Sequence, residues 1–411
     1  PAPIIYSAKT THPDQHAAAF AMLASGASRI YVGNDGGAYR QDIDPTTGID
    51  VGSWTSVNDG LSISQPYAAA MSRDGVVYAG LQDNGTVKIL PNGRADMVYG
   101  GDGFDVAVDP ADSKIAFEEY ANGAIRKTTN GGQTWTLIDP TDATGQRFYT
   151  PFEMDRKDAD HLIYGACQIW ESDKGSGTAS GSWRRVFDPD PSCAETDPYQ
   201  GLCSTQPIDG CPTPALGTTA VDLYGNAAYA ALCRGSCNVT TDDGGMDPTL
   251  FKGVLATNVK RGCKRDVASK DCWHLAAGRG LPHRLVTGLA VDPKNPATIY
   301  ASVGSFSRHW TVPLSVQPRA VYRSTNGGDD WADITGNLPP VFGGDVAVLR
   351  DTVVLATDAG VYAAKTSDPK RWVPMGTGLP AGVPGFEVSF NPQGTKVVLA
   401  THGRGVWVLT L

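Results

Sequence analysis

The stretch Val106-Ala-Val-Asp-Pro110, followed by Lys114-Ile-Ala116, recurs twice in altered form along this 411-residue chain. Its relatives are Leu289-Ala-Val-Asp-Pro293 before Thr298-Ile-Tyr-Ala301, and Val388-Ser-Phe-Asn-Pro392 before Lys396-Val-Val-Leu-Ala400. Each copy places β-branched runs on both sides of an Asp-Pro or Asn-Pro turn, a pattern that predicts strand, turn and strand. The sequence is therefore built from repeats of a β-hairpin.

A second repeated element is a tryptophan followed six or seven residues later by Gly-Leu or Asn-Leu. Its copies are Trp54 to Leu61, Trp273 to Leu281, Trp331 to Leu338 and Trp372 to Leu379. Between the repeats lie short runs of alternating apolar and polar residues, and no amphipathic stretch of helical period reaches about 12 residues. These features predict an all-β repeat protein.

Counting four antiparallel strands per repeat unit gives the predicted blades of a single β-propeller over residues 1–411. The units lie near 17–54, 67–99, 104–138, 151–187, 218–276, 286–334 and 345–375, with three strands left in 386–411. We expect the strand Pro3-Ile-Ile-Tyr-Ser7 to complete the last blade, so that N- and C-terminal strands close the ring. The prediction is eight blades, or seven if the first or second unit is irregular.

All eight cysteines fall between positions 167 and 272. They are Cys167, Cys193, Cys203, Cys211, Cys233, Cys237, Cys263 and Cys272. An even number in loop-rich insertions, about 188–217 and 233–272, favours disulfides and an extracellular, periplasmic or otherwise extracytoplasmic location. The alternative is a zinc site, because Cys233 and Cys237 have the spacing of a ligand pair.

Charge and hydropathy exclude two classes of partner. The net charge of −9 supplies no basic surface for nucleic acid. The longest apolar runs are too short for a membrane span. No signal peptide is recognised after Pro1, and this suggests that the sequence is a mature or excised form.

Two segments resemble a known sequence motif. Thr128-Thr-Asn-Gly-Gly-Gln-Thr-Trp135 and Ser324-Thr-Asn-Gly-Gly-Asp-Asp-Trp331 match the Asp-box (BNR) pattern, with degraded copies beginning at Ser172, Thr240 and Thr366. The motif stabilises a tight turn through its Asn or Asp, places Gly at positive φ and packs its Trp under the hairpin. The chain is thereby similar to Asp-box propellers, which include sialidases, xyloglucan-cleaving hydrolases of glycoside hydrolase family 74, sortilin-type receptors and photosystem assembly factors. The resemblance implies the fold more strongly than the activity.

Sialidases usually carry an Arg-Ile-Pro segment, which this sequence lacks. Ile30-Tyr-Val-Gly-Asn-Asp-Gly-Gly-Ala-Tyr-Arg40 resembles the segment that carries a catalytic aspartate in the xyloglucanase-like hydrolases, and the resemblance places that role on Asp35. Gly101-Asp-Gly-Phe104 resembles more loosely the segment of the second carboxylate, which would be Asp102. In that family the second carboxylate belongs to a second propeller, and 411 residues are too few for two.

Propeller loops between blades, and the turns joining each blade's second and third strands, converge on one axial face where ligands bind. The candidate ligand-binding residues on this face are Asp14, His16, Gln82, Asp83, Glu118, Tyr149, His402 and Arg404. Each has a structural alternative: Asp83 and Asp35 lie in good hairpin turns, and Arg404 can simply pair with an acid.

No cofactor is predicted, although a structural divalent cation is compatible with the acidic face. His12, Asp14 and His16 would share one side of an extended segment and form a weak metal pattern, against the alternative of ordinary hydrogen bonds.

The predicted function is that of a secreted carbohydrate-active propeller, glycoside hydrolase-like, acting on a polysaccharide or oligosaccharide. Glycosidic hydrolysis needs one carboxyl group with a raised pKa and one that stays ionised. Asp35 and Asp102 are the candidate catalytic pair, with Glu118 or Asp83 in reserve. The alternative is a non-catalytic binding or scaffold propeller with a protein partner. Two carboxylates that face one another in a cleft would favour the hydrolase. A flat face or a plugged channel would favour the binding protein.

Overall fold

The computed structural model describes most of the chain, and all of the described part is β-structure, turns and loops. Described are residues 11–44, 46–47, 50–61, 63–143, 146–187, 216–234, 251–257, 273–282, 285–304, 319–380 and 382–411. Within them 31 strands form eight antiparallel sheets, each with its strands in sequence order. Two single turns of 3₁₀ helix, Gly175–Gly177 and Ser180–Ser182, are the helical segments among these residues. The all-β propeller prediction is confirmed.

The first four sheets follow the predicted units closely. The N-terminal sheet contains β1 (Gln15–Met22), β2 (Ser28–Asn34), β3 (Gly37–Ile43) and β4 (Asp50–Ser56). Blade 1 contains β5 (Pro66–Met71), β6 (Val77–Leu81), β7 (Gly85–Ile89) and β8 (Ala95–Tyr99). Blade 2 contains β9 (Gly103–Val108), β10 (Ala116–Tyr120), β11 (Ala124–Thr128) and β12 (Thr136–Leu137). Blade 3 contains β13 (Phe152–Met154), β14 (His161–Gly165), β15 (Ile169–Asp173) and β16 (Arg184–Phe187).

The remaining four sheets complete the described molecule. Blade 4 contains β17 (Leu216–Tyr224), β18 (Ala227–Arg234), β19 (Phe251–Thr257) and β20 (His274–Leu275). Blade 5 contains β21 (Leu285–Val291), β22 (Ile299–Gly304), β23 (Val321–Ser324) and β24 (Trp331–Asp333). Blade 6 contains β25 (Gly343–Leu349), β26 (Thr352–Thr357), β27 (Gly360–Lys365) and β28 (Asp368–Pro374). Blade 7 contains β29 (Gly385–Phe390), β30 (Lys396–Thr401) and β31 (Gly405–Thr410).

The repeated Asp-Pro and Asn-Pro segments form the hairpin turns that the sequence predicts. Asp109 Oδ1 accepts hydrogen bonds from the backbone N–H groups of Ala111 (2.7 Å) and Asp112 (3.2 Å). Asn391 Oδ1 likewise accepts from Thr395 N and Lys396 N, both at 2.8 Å. A short polar side chain thus satisfies the turn's free N–H groups, which explains why these residue types begin the turn.

Seven of the sheets close a ring around a central axis. The first strand of each blade lies beside the first strand of the next, and β29 of blade 7 lies beside β5 of blade 1. Two hydrogen bonds join β29 to β5. Ala69 N–H donates to Glu387 Oε2 (3.0 Å), and Ser389 Oγ–H donates to Ala69 O (3.0 Å). The hydrophobic core lies between blades, as where Tyr229 and Ala231 of blade 4 pack with Val303 of blade 5.

The N-terminal sheet is built like a blade but lies outside this ring. Its bulge between Gln15 and Ala17 and its pairing of Ala17 with Gly33 reproduce the bulge between Pro66 and Ala68 and the pairing of Ala68 with Gly80 in blade 1. Yet β1 is exposed along its whole length, whereas five of the six residues of β5 are buried.

All eight predicted units are therefore present, and the alternative of seven blades describes the closed ring. Blade 7 has three strands in the described part of the chain, and Gly405 at the start of its last strand donates a hydrogen bond to Ser64 O (2.9 Å). The predicted closing strand Pro3–Ser7 lies outside the described residues, as do most of the two cysteine-rich insertions. The interpretation of residues 1–411 as one unit stays a prediction.

Both intact Asp-box segments adopt the same hydrogen-bonded turn. Thr128 Oγ accepts from Gly132 N (3.0 Å), and Asn130 Oδ1 accepts from Thr134 N (3.0 Å). In the second copy, Ser324 Oγ accepts from Gly328 N (2.9 Å) and Asn326 Oδ1 from Asp330 N (3.0 Å). Gly132 and Gly328 have φ of 90° and 94°, where an L side chain would be strained. The degraded copy at Thr240 lies outside the described residues.

Cys167 is buried and disulfide-bonded. The side chains of the other seven cysteines lie outside the described part of the structure, so the disulfide framework and the zinc alternative stay predictions.

Candidate functional site

The N-terminal sheet meets blade 1 through two hairpin turns on the axial face. The β2–β3 turn, Asn34 to Gly37, is held by a bond from Gly36 N to Asn34 Oδ1 (3.1 Å). The facing β6–β7 turn has Asp83 at φ 62°. Asn84 Nδ2 donates across the junction to Asp35 O (3.1 Å). The ring of the buried His12 lies between the turns, with Nε2 3.1 Å from Asp83 O.

This junction gathers carboxylates that are distant in sequence. Oxygen atoms of Asp14, Asp35 and Asp83 all lie within 4.8 Å of one another. His16 Nε2 is 2.5 Å from Asp35 Oδ1, and Asp102 Oδ1 accepts the backbone N–H of Asp83 at 3.0 Å. The structure thus brings together five of the sequence-predicted residues, Asp14, His16, Asp35, Asp83 and Asp102.

The surroundings of Asp83 change its proton affinity. Partial burial, and then the negative charges of Asp102 and Asp35, raise the pKa of Asp83 to about 6. Like charges and desolvation both disfavour the ionised form. The cluster therefore holds a proton on Asp83 under mildly acidic conditions.

The same oxygens form a set that could hold a hard divalent cation such as Ca²⁺, which prefers carboxylate ligands. Of the predicted metal residues His12, Asp14 and His16, only Asp14 belongs to this set among the described residues. The His12 ring faces the backbone oxygens of Pro13 and Asp83, and the His16 ring faces Asp35. Carboxylates from the bend before β1 and from two hairpin turns, rather than one His-x-Asp-x-His segment, thus make the candidate cation site.

Aromatic and polar side chains surround the mouth of the axial channel beside this cluster. Tyr67 donates its hydroxyl to Gln82 Oε1 (2.6 Å), and its ring centroid lies 5.1 Å from that of Phe386 and 6.1 Å from that of Tyr149. His402 lies 5.1 Å from Phe386, and burial lowers its pKa. Gln82, Tyr149 and His402 therefore lie beside these aromatic rings, and their role in ligand binding stays a prediction.

Arg404 makes a local contact. Its Nη1 donates to the backbone oxygen of Gly403 (2.8 Å) in the β30–β31 turn. The predicted alternatives, binding an anionic ligand or pairing with Asp35 or Asp102, stay open.

Glu118 does not reach the axial face. The sequence placed it in a turn, but the turn is at residues 121–123 and Glu118 lies inside β10, fully buried. Its Oε2 accepts the hydroxyl of Thr86 (2.7 Å), and its Oε1 lies 3.6 Å from Arg126 Nη1. Burial raises the pKa of Glu118 to about 7. Its place between blades 1 and 2 indicates a structural contact.

A cavity of about 260 Å³ occupies the axis of the ring. Five carboxyl groups on first strands line it, those of Asp105, Glu153, Asp222, Asp345 and Glu387. Sequence reasoning missed them, although a signal exists: Gly103-Phe-Asp-Val106, Gly343-Gly-Asp-Val346 and Gly385-Phe-Glu-Val388 repeat one acid inside an apolar strand.

Arg156 lies across the end of the cavity opposite the channel mouth. Its Nη2 donates to Asp222 Oδ2 (3.0 Å) and to Val291 O (3.2 Å), and its Nη1 donates to Val348 O (3.3 Å). One side chain from blade 3 thus connects blades 4, 5 and 6.

The described part of the chain contains no helix that is long and apolar enough to cross a membrane. No protein-family profile and no curated protein sequence matches this chain.

Solved structures do match in fold. YCF48 from Cyanidioschyzon merolae has a TM-score of 0.55 and 11% identity, over 85% of this chain and 96% of that chain. YCF48 bound to D1 peptide has a TM-score of 0.52 and 10% identity, over 86% and 94%. A Niastella koreensis GH74 enzyme has a TM-score of 0.49 and 16% identity, over 94% of this chain and 57% of the enzyme. At such identities the similarity to YCF48 shows a shared fold, and this chain is a β-propeller protein.

Proposed function

We propose that this protein is a carbohydrate-active hydrolase whose reaction centre is the carboxylate cluster between the N-terminal sheet and blade 1. The observation that supports this most is the close approach of Asp35 and Asp83, whose oxygens lie within 4.8 Å, together with the pKa of Asp83 near 6. Two neighbouring carboxyl groups, one protonated and one ionised, are the requirement for cleaving a glycosidic bond.

In this proposal Asp83 is the general acid and Asp35 the nucleophile. Asp83 donates its proton to the leaving-group oxygen while Asp35 bonds to the anomeric carbon, and water then hydrolyses the glycosyl ester with Asp83 as base. Retaining enzymes separate the two carboxyl groups by about 5–5.5 Å, whereas inverting enzymes need about 6.5–9.5 Å. The short separation here therefore favours retention of configuration. Asp102, bonded to Asp83 N, positions the acid.

The substrate class follows from the surroundings of the cluster. Phe386, which is only partly buried, offers an aromatic ring at the channel mouth, and sugar rings stack on aromatic faces. Glycan chemistry at an exposed, acidic site agrees with the disulfide at Cys167 and with the extracytoplasmic location proposed from the cysteines.

The test is release of reducing ends from a panel of polysaccharides by the wild type, Asp83→Asn and Asp35→Asn. Each substitution should lower kcat/KM by about 100-fold or more, because an isosteric amide neither donates the proton nor attacks. Asp96→Asn is the matched control, since Asp96 lies on the outer strand β8 and pairs with Arg94. All variants should keep the thermal stability of the wild type. Well-folded wild-type protein that cleaves no glycan would refute the proposal.

The pH profile gives a second check. Because Asp83 must be protonated, kcat/KM should fall above pH 6, with an apparent pKa of about 6 on the alkaline side. The profile is measured on a soluble chromogenic glycoside. An alkaline limb far above this value would remove Asp83 from the acid role.

A second candidate is a binding propeller without catalysis, favoured by Arg156, which bonds to three blades across one end of the axial cavity. This hypothesis predicts that a protein segment or a saccharide binds at the channel mouth and is not cleaved. Saturable calorimetric binding of oligosaccharides that are never cleaved would support it over the hydrolase.

A further inference from the structure

The five carboxyl groups around the axis do more than line the cavity, because four of them connect neighbouring blades. Asp105 Oδ2 accepts Phe152 N–H (3.1 Å), which joins blade 2 to blade 3, and Asp222 Oδ2 accepts Val291 N–H (2.6 Å), which joins blade 4 to blade 5.

The remaining two connections close the ring. Asp345 Oδ2 accepts Val388 N–H (3.0 Å) between blades 6 and 7, and Glu387 Oε2 accepts Ala69 N–H (3.0 Å) between blades 7 and 1. We call Asp105, Glu153, Asp222, Asp345 and Glu387 the axial carboxyls.

The axial carboxyls are crowded with like charge. Arg156 is the one basic side chain among the residues that line the cavity in the described structure. Burial raises the pKa of Asp105 to about 7 and that of Asp345 to about 8. Burial, and then neighbouring axial carboxyls, raise the pKa of Glu387 and of Glu153 well above the usual range. Burial also raises the pKa of Asp222, although the positive charge of Arg156 acts in the opposite direction.

Other titratable groups face the axial carboxyls from the elements packed around them. Tyr149 donates its hydroxyl to Asp105 Oδ1 (2.7 Å). The buried Glu119 acts on Asp105 and Tyr149 from behind, and Asp155 acts on Asp222. Tyr67 and Asp358 complete the titratable lining. None of these groups adds positive charge, so Arg156 alone offsets the ionised forms within this set.

We propose that the axial carboxyls are a pH-sensitive lock, which holds the propeller ring closed while they carry protons and loosens the seams between blades when they ionise. A protonated carboxyl keeps an oxygen that accepts the neighbouring blade's N–H group and carries no charge into the cavity. Several ionised groups around a 260 Å³ space repel one another, and separating the blades relieves that repulsion. The proposal goes beyond the hydrolase and does not depend on it.

The direction of the effect follows from linkage. The folded-state pKa of each axial carboxyl is above its unfolded value of about 4, so the folded state binds more protons. The free energy of unfolding should therefore be greatest below the unfolded pKa of about 4. It should be lost as pH rises through about 7 and 8, the folded-state pKa values of Asp105 and Asp345. Ordinary paired surface carboxylates have the opposite dependence.

The experiment compares hydrogen exchange of the seam amides with pH. Protection factors of peptides that contain Ala69 and Val388 should fall by about 100-fold from pH 5 to pH 9 in the wild type. Glu387→Gln and Asp345→Asn keep an accepting oxygen but cannot ionise, so each should recover about tenfold of that loss. Asp351→Asn is the control, because Asp351 is exposed and Lys365 lowers its pKa.

Protection factors that stay constant or rise from pH 5 to pH 9 in the wild type would overturn the lock. Equal losses in Glu387→Gln, Asp345→Asn and the wild type would overturn it as well. If one of the two variants fails to fold, the other variant and the wild-type profile still decide. Glycan cleavage enters none of these readouts, so failure of the lock and failure of the hydrolase proposal are distinguishable.

Discussion

Two carboxyl groups with raised pKa values lie in different surroundings in this molecule. The pKa of Asp83 is raised to about 6 and that of Glu118 to about 7, in both cases first by burial. Asp83 lies at an accessible junction beside Asp35 and Asp102, whereas Glu118 is sealed between blades against Thr86. A raised pKa marks a functional candidate only where substrate can reach the group.

The buried position of Glu118 makes its own prediction. Since its pKa in the folded protein is about 7, ionisation destabilises the wild type as pH rises past that value. Glu118→Gln should therefore be more stable than the wild type at pH 8, by about 1–3 kcal/mol, and no more stable at pH 5. Urea unfolding at the two pH values measures the difference. A variant that loses stability equally at both would show that the Arg126 pair dominates, contrary to this account.

At the level of the blade, different parts of each sheet attach it to its neighbours. First strands use carboxyl groups, and two of the outer strands use a tryptophan indole N–H group. Trp135 donates to Val98 O (3.0 Å) in blade 1, and Trp372 donates to Ile334 O (2.8 Å), just after blade 5. The tryptophan repeat in the sequence therefore reports contacts between blades as well as packing within one.

This role of tryptophan can be measured at Trp372, which is 2% exposed. Trp372→Phe removes the donor and leaves Ile334 O buried without it, which should lower the free energy of unfolding by about 1–3 kcal/mol. Trp407→Phe is the matched control, because its indole bonds Arg404 O at an exposed turn where water can replace it. That change should cost less than about 1 kcal/mol. Equal losses in chemical denaturation would contradict the interblade role.

At the scale of the whole molecule, a ring of seven blades and one additional blade-like sheet share a single repeat. Tyr31-Val-Gly33 in the N-terminal sheet and Tyr78-Ala-Gly80 in blade 1 have the same pattern and the same strand pairing. Their environments differ. A Cβ on Gly80 would lie 2.0 Å from Phe104 O in the next blade, whereas a Cβ on Gly33 would meet nothing within 4 Å.

The two glycines therefore test the ring directly. Gly80→Ala should destabilise the protein by about 1–3 kcal/mol, because the backbone of blade 2 must move away. Gly33→Ala should change stability by no more than about 0.5 kcal/mol, since no neighbour is displaced. Thermal unfolding of the two variants measures both changes in stability. A large loss in Gly33→Ala would show that the N-terminal sheet has a blade packed against it, as in an eight-bladed ring.

The sequence by itself determined the strands, their grouping and their turns. These features depend on local patterns, because alternation, Asp-Pro turns and Asn-Gly-Gly turns act within one hairpin. The predicted units therefore agree with the sheets to within about two residues at most boundaries. It also singled out Asp14, His16, Asp35, Asp83 and Asp102, because acids in tight turns on one face of a propeller are visible in the pattern. Glu118 was misplaced because the turn after β10 begins three residues later, at 121–123, so that Glu118 lies within the strand and is buried.

Only the tertiary structure decided how many blades close the ring, which carboxyl groups face one another and what lies on the axis. Ring closure depends on the fit of first strands that are more than 300 residues apart, as at Ala69 and Glu387, and no local pattern encodes that distance. The proton affinity of a carboxyl group depends on burial and neighbouring charge, which likewise arise only when distant strands meet.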